Sequence, residues 1–373
     1  MSKNIAGVKN KPDSILLYTS IALVVLGILT LASVSTSVSY KNFDSTFYFL
    51  RHQIQFGLIP GIILGFLVFK QNLEWIKKKA PIIFLFNLFL LFIVILPKLI
   101  GITKGTIRAL DLGVFTVQPA EFLKLTIILY WASWWSSRQD KKIEESSNKN
   151  LSLLIFLIII SIVGFLMVSQ PDVSTFGIIA IIAAIVYFSA NSPFWHTPFL
   201  GLTGILAFIL LMKADYRKNR LLVFFDPETD PMGVGYQLKQ SLITIGSGGL
   251  TGVGIGFSQQ KFGFLPELIS DSIFSVFAEE TGFIGSFILI SLFALFIWRG
   301  FKIAYHSKNT FNQLTAIGIS SWIVLQAFIS ISTMIGVIPL TGVPLPFISY
   351  GGSALISELI GVGLLLNISK ESS

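Results

Sequence analysis

The chain has 373 residues, of which 53% are hydrophobic and only 12% charged, with a mean hydropathy of +0.78. A soluble protein carries about 25% charged residues, so this composition excludes an ordinary soluble domain and points to an integral membrane protein. There is no cysteine, which excludes disulfides and thiolate metal sites. The formal net charge is +8. In a membrane protein such an excess reports cytoplasmic Lys/Arg bias rather than nucleic-acid binding.

The N-terminal stretch MSKNIAGVKNKPD carries Lys3, Lys9 and Lys11 before the first apolar run. It has the charge of a signal peptide, but no small-residue cleavage site follows and the run is long enough to remain as a helix. Ten apolar segments follow in order: 14–35, 47–69, 81–97, 117–136, 151–168, 173–190, 197–213, 272–298, 312–337 and 350–368. Runs near 20 residues match the bilayer thickness, and only helices or closed barrels satisfy the backbone there. The expected fold class is therefore an all-α polytopic membrane protein of about ten transmembrane helices. It forms a single membrane domain over 1–373, because no soluble-looking segment is long enough to fold alone.

Ten crossings place both termini on one side. With the N-terminus inside, inner segments hold fifteen Lys/Arg and outer segments ten. The ratio becomes fifteen to four when the cluster from Lys213 and the long loop 214–271 are set aside, since long loops obey the positive-inside rule weakly. The expected topology has a cytoplasmic tail at 1–13, a long extracytoplasmic loop at 214–271 and a cytoplasmic tail at 369–373. The middle of the loop, QSLITIGSGGLTGVGIG, is glycine-rich. It has neither the flanking strand and helix nor the GK[ST] of a phosphate loop. Close backbone approach to a ligand, re-entry into the membrane, and a simple flexible loop all remain open.

Ionisable residues in membrane segments are costly and are functional candidates by default. Glu121 and Lys124, in QPAEFLKL, are three residues apart on one helix face, where they can pair. They read either as a self-satisfied helix-entry ion pair or as the wall of a hydrated cavity. Asp172 follows Gln170 and Pro171 at the start of the sixth segment, a position suited to a helix cap. Asp271 stands where the polar loop turns into the eighth segment, and could cap the helix, bind a cation or take a proton. At about 100° and 1.5 Å per residue, a helix running on from Asp271 would place Glu279 and Glu280 on other faces, so these carboxylates cannot all share one site. They and Glu358 read as polar contacts between helices. Arg217 and Arg220, with Lys213 and Lys218, make a basic cluster that reads as a membrane-surface anchor or as a partner for phosphate. The three histidines, His52, His196 and His306, have no metal-ligand spacing.

Taken together, QPAEFLKL (118–125), QPDVST (170–175), DPMGVGYQLKQSLITIGSGGLTGVGIG (230–256), FLPELISDSIFSVFAEETGFIG (264–285) and PLPFISYGGSALIS (344–357) resemble the SEDS family, which comprises the FtsW, RodA and SpoVE proteins. The motifs occur in family order and cover nearly the whole chain. The run Ser258-Gln259-Gln260-Lys261 resembles FtsW more than RodA. The resemblance implies a peptidoglycan glycosyltransferase that polymerises lipid II at the outer face of the bacterial cytoplasmic membrane during cell division. It also implies a class B penicillin-binding protein and other divisome membrane proteins as partners. By motif position the family's essential aspartate falls on Asp271, its polar pair on Glu121 and Lys124, and the Q-P-D aspartate on Asp172. Ile269 and Ser270 stand where the family often has His-Thr, Ser272 where Phe is common, and Ser174 where Gly is usual.

The implied reaction needs a base for the attacking hydroxyl and positive charge for the departing pyrophosphate, from cationic side chains or a divalent cation such as Mg2+. The reading gives Asp271 the role of base in a single inverting displacement, with Lys124 oriented by Glu121 and with Arg217 or Arg220 at the pyrophosphate. An elongation polymerase of RodA type shares this chemistry. A lipid flippase and a non-catalytic scaffold are the competing classes.

Overall fold

The computed structural model describes residues 11–101, 107–113, 115–140, 149–190, 192–212 and 214–372. Of the basic residues used for orientation, Lys3, Lys9, Lys104, Lys141, Lys142 and Lys213 lie outside them. All ten apolar segments fall on helices. In chain order the helices are α1 (Ser14–Val34), α2 (Thr36–Phe43), α3 (Tyr48–Lys70), α4 (Leu73–Leu99), α5 (Pro119–Asp140), α6 (Lys149–Ser169), α7 (Val173–Ser189), α8 (Thr197–Leu211), α9 (Asp215–Phe225), α10 (Val234–Ser247), α11 (Ile273–His306), α12 (Thr310–Met334) and α13 (Gly352–Ser372). Seven of these, α1, α3, α4, α6, α11, α12 and α13, are long and apolar enough to cross a membrane. α7 and α8, at 17 and 15 residues, are apolar but shorter, and α5 carries Glu121 and Lys124 within its 22 residues. The chain is an all-α, multi-pass membrane protein.

Local signals set the helix starts. Asp13 Oδ1 accepts from the Leu16 amide at 2.8 Å, and Asn72 and Asn309 cap α4 and α12 in the same way, each satisfying an otherwise orphaned N–H. Pro119 occupies the first position of α5, where its missing N–H costs nothing. α4 starts eight residues before the apolar segment at 81–97, because Lys77, Lys78 and Lys79 continue the helix into its polar end.

α12 and α13 are the most enclosed of the long helices. α13 packs on α3 through glycines: a Cβ on Gly363 would stand 2.2 Å from the Gly65 carbonyl oxygen. This is the small-residue packing that lets helix backbones touch in a membrane. Large apolar side chains such as Leu29, Ile62, Phe86 and Phe287 point outward, as a bilayer-facing belt requires.

Segment 214–271 is structured rather than a flexible loop. It folds into α9 and α10, then a glycine-rich turn region that meets a break in α11. At that break Gly282 has φ +67° and ψ −165°. The Val253 and Gly254 amides donate to the Glu279 and Glu280 carbonyls at 3.0 and 3.1 Å, and the Phe283 and Ile284 amides donate to the Gly249 and Leu250 carbonyls at 2.9 and 3.1 Å. The broken helix and the turn thus satisfy each other's backbone groups. A Cβ on Gly252 would lie 2.2 Å from the Glu280 carbonyl oxygen. Here the glycines serve contact of backbone with backbone.

Candidate active site

Asp271 lies two residues ahead of α11, in a turn whose backbone is fixed on both sides. The Ser270 and Ser272 amides donate to the Glu267 carbonyl at 3.3 and 3.1 Å, and Ser272 Oγ donates to the Pro266 carbonyl at 2.9 Å. From the 342–352 loop, the Tyr350 amide donates to the Ile269 carbonyl at 2.9 Å and Ser349 Oγ donates to the Ser270 carbonyl at 2.6 Å. Ser272, not Asp271, occupies the cap position of α11, and it caps without a side-chain hydrogen bond. The helical angle drawn from Asp271 to Glu279 therefore does not apply, although the two carboxylates are indeed apart. Glu279 accepts from Ser247 Oγ and Ser258 Oγ, Glu280 accepts from Ser33 Oγ at 2.6 Å, and Glu358 accepts from the Phe347 amide at 2.7 Å. These three hold neighbouring segments together.

Among the described residues, no hydrogen bond reaches the Asp271 carboxylate. Burial pushes its pKa up to about 6, and Glu267 adds to the rise, while Arg220 and Arg108 oppose it. Gly342 makes room: with φ +72°, a Cβ there would sit 3.2 Å from Asp271 Oδ2.

Asp271 opens into a cavity of about 270 Å³ that Glu121 and Asp172 also line. The three acids come from the starts of three helices, α5, α7 and α11, at one end of the bundle. Asp172 is a cap and a cavity residue at once, since its Oδ1 accepts from the Thr175 amide at 3.3 Å. Glu121 has its back to the cavity wall, where Lys124 Nζ lies 2.7 Å from Glu121 Oε2 and 2.7 Å from Gln326 Oε1. Lys124 is 1% exposed and does not line the cavity. It stands over the Trp322 ring, 5.3 Å from the centroid. Both readings of the pair thus hold in part: an ion pair, with only Glu121 facing the cavity.

The basic residues sort differently from the sequence reading. Arg217 and Arg220 are not cavity-lining residues. Arg220 Nη1 donates to the Leu340 carbonyl at 3.2 Å and acts on Asp271 through its charge. The cation that lines the cavity is Arg108, which sequence reasoning missed. It leads into a short antiparallel hairpin, β1 (Leu110–Asp111) and β2 (Thr116–Val117). That hairpin is pinned to α13 by Ser353 Oγ, which accepts from the Gln118 amide at 3.0 Å. Arg108 Nε and Nη2 donate to the Gln170 and Pro171 carbonyls at 3.3 and 3.0 Å, so it also clamps the turn that presents Asp172. No local pattern marks Arg108. Its only signal is a lone cation beside a helix end.

Among the described residues, no three His, Asp or Glu side chains converge as a metal-ligand set. Glu121 is engaged by Lys124 and Asp172 by its helix, which leaves Asp271 as the uncommitted carboxylate.

The family model described as "Cell cycle protein", covering FtsW, RodA and SpoVE, matches residues 13–373. The chain is 34% identical over 365 residues to Stage V sporulation protein E of Bacillus subtilis, covering 98% of each. It is 33% identical over 358 residues to the probable peptidoglycan glycosyltransferase FtsW of Geobacter sulfurreducens, covering 96% of this chain and 95% of that one. Among solved structures it is similar to a chain of a peptidoglycan synthase complex that coordinates polymerization and crosslinking, with TM-score 0.75, 26% identity and coverage of 97% and 98%. It is also similar to the rod shape determining protein RodA of Thermus thermophilus, with TM-score 0.68, 25% identity and 96% of each chain covered. On a family match spanning almost its whole length and relatives above 30% identity end to end, the chain belongs to the FtsW/RodA/SpoVE family.

Proposed function

We propose that this chain is a peptidoglycan glycosyltransferase that polymerises lipid II, with Asp271 as general base. The observation that carries the reading is the state of Asp271: a carboxylate on a rigid turn, free of hydrogen bonds among the described residues, raised to about 6 by burial and open to a cavity with Arg108. A base works best with a pKa near the operating pH. The acceptor sugar hydroxyl gives its proton to Asp271, and its oxygen forms a bond to the anomeric carbon of the donor. The bond from that carbon to the polyprenyl pyrophosphate breaks on the other face, and the pyrophosphate leaves with the electron pair. Arg108 supplies positive charge for that leaving group in place of the sequence-based choice of Arg217 or Arg220, because a guanidinium matches phosphate geometry. Asp172 and Glu121 accept hydrogen bonds from the remaining hydroxyls. The residues do not form a ready metal site, so no step runs through one. A divalent cation, if used, arrives with the pyrophosphate.

The charge bias favours cytoplasmic termini, which puts the cavity end at the outer leaflet, where a lipid-linked sugar is polymerised. The relatives named FtsW favour a role in division over elongation. The similarity to a chain of a peptidoglycan synthase complex favours a class B penicillin-binding protein as partner, with other divisome proteins around it. The deciding experiment is in vitro polymerisation of lipid II by the purified chain with its class B partner, wild type against Asp271→Asn. Polymer from the wild type and none from the variant is the expected result. Near-normal polymer from Asp271→Asn sinks the base assignment.

A further inference from the structure

Four aromatic side chains also line the cavity: His52, Phe56, Phe115 and Tyr350. They form one continuous patch. The Phe56 and Phe115 rings are stacked, 5.6 Å between centroids at 15°. His52 lies 4.8 Å from Phe56 and its Nδ1 is 2.9 Å from the Tyr350 hydroxyl. Phe56 sits in a π-helical turn, Ile54–Leu58, inside α3. Such turns widen a helix locally and recur at functional sites. The patch is mechanically joined to the base, because the Tyr350 amide bonds the Ile269 carbonyl two residues before Asp271.

A cavity with contiguous aromatic faces on some elements and carboxylates and an arginine on others fits a ligand that is itself two-sided. A pyranose ring is such a ligand. Its axial C–H groups make an apolar face that lies on an aromatic ring, and its hydroxyls project from the rim toward acceptors. An isoprenoid tail has no use for Glu121, Asp172 and Asp271, and a peptide has no flat apolar face to match the rings. We infer that Phe56, Phe115, His52 and Tyr350 form the sugar-binding subsite of the cavity, seating an N-acetylhexosamine ring with its hydroxyl rim toward Asp271. This inference rests on the glycosyltransferase reading and names the residues that hold the sugar.

Two measurements test it. In lipid II polymerisation with the class B partner, Phe56→Leu and Phe115→Leu raise KM about three- to tenfold each, the range an aromatic contact spans. In both, kcat stays within about twofold and the pH profile does not move, whereas Phe115→Tyr keeps wild-type KM. Separately, saturation-transfer NMR with N,N′-diacetylchitobiose as probe, on the chain in nanodiscs, shows transfer to ring C–H protons in wild type and in Asp271→Asn. Transfer is lost in the two leucine variants, whose fold is checked by size-exclusion and melting profiles. Unchanged KM in both leucine variants, a fall in kcat alone, or no transfer in the wild type overturns the inference. If polymer forms normally but the leucine variants match wild type, the subsite fails while the glycosyltransferase reading stands. If transfer depends on the rings but no polymer forms, the subsite stands and the glycosyltransferase reading fails.

Discussion

Lys124 Nζ lies 2.7 Å from Glu121 Oε2, on the side of Glu121 that faces away from the cavity. The lysine is buried with Gln326 and Trp322, and Gln326 Nε2 in turn donates to the Pro344 carbonyl at 3.0 Å, in the loop that braces Asp271. Removing the lysine leaves a buried carboxylate and a buried amide oxygen without partners. Breaking such a pair from one side costs about 3–5 kcal/mol. Lys124→Ala is therefore expected to lower the melting temperature sharply along with activity. Lys124→Met with Glu121→Gln recovers much of the stability, because no charge is stranded. Thermal unfolding of the purified variants, followed by size-exclusion, checks both. A Lys124→Ala protein with wild-type melting contradicts this account.

The raised pKa of Asp271 fixes the direction of two pH effects. The base acts when deprotonated, so kcat/KM rises with pH and levels off above about 6. For stability the sign is opposite. The ordinary value is 3.8 and the folded one about 6, so the folded protein holds this proton more tightly. The stabilisation is complete below the ordinary value and is lost as pH rises through about 6. Asp271→Asn is neutral throughout. It should melt no lower than wild type at pH 7 while polymerising at least about 10²-fold more slowly. Paired melting and polymerisation curves from pH 5 to 8 read out both effects.

Arg108 and Arg217 are expected to separate. Arg108 lines the cavity and holds the Gln170-Pro171 turn. Arg108→Ala should reduce turnover about 10²-fold, and Arg108→Lys should recover only part, since the forked geometry is lost. Arg217→Ala keeps most of the activity. Steady-state polymerisation rates decide it, and equal losses at both positions argue against Arg108 as the cavity cation.

Gly252 has φ +81° and its missing Cβ would overlap the Glu280 carbonyl. Alanine there meets both a left-handed backbone and a backbone clash, so a loss above about 2 kcal/mol is expected. Gly246, with open space at its Cβ position, tolerates alanine. The melting temperatures of the two variants give the comparison.

Membrane residence, the helical fold class and the positions of the apolar segments are consequences of composition and run length, so the sequence by itself determined them. A bilayer demands about 20 apolar residues per crossing whatever the neighbours are. Glu121, Asp172 and Asp271 were also legible, because each is a carboxylate beside an apolar helix start, where charge is costly. Tertiary structure alone decided which of these groups meet. Three helix starts converge at one end of the bundle, and a loop more than 70 residues on in the chain fixes the turn of Asp271. It removed Lys124 from the cavity to a buried strut, brought in Arg108, and placed Phe56, Phe115, His52 and Tyr350 side by side. The 214–271 segment looked like a loop because its glycines weaken local propensity. It is ordered by hydrogen bonds to a helix break at Gly282, a partner far enough along the chain that no local pattern announces it.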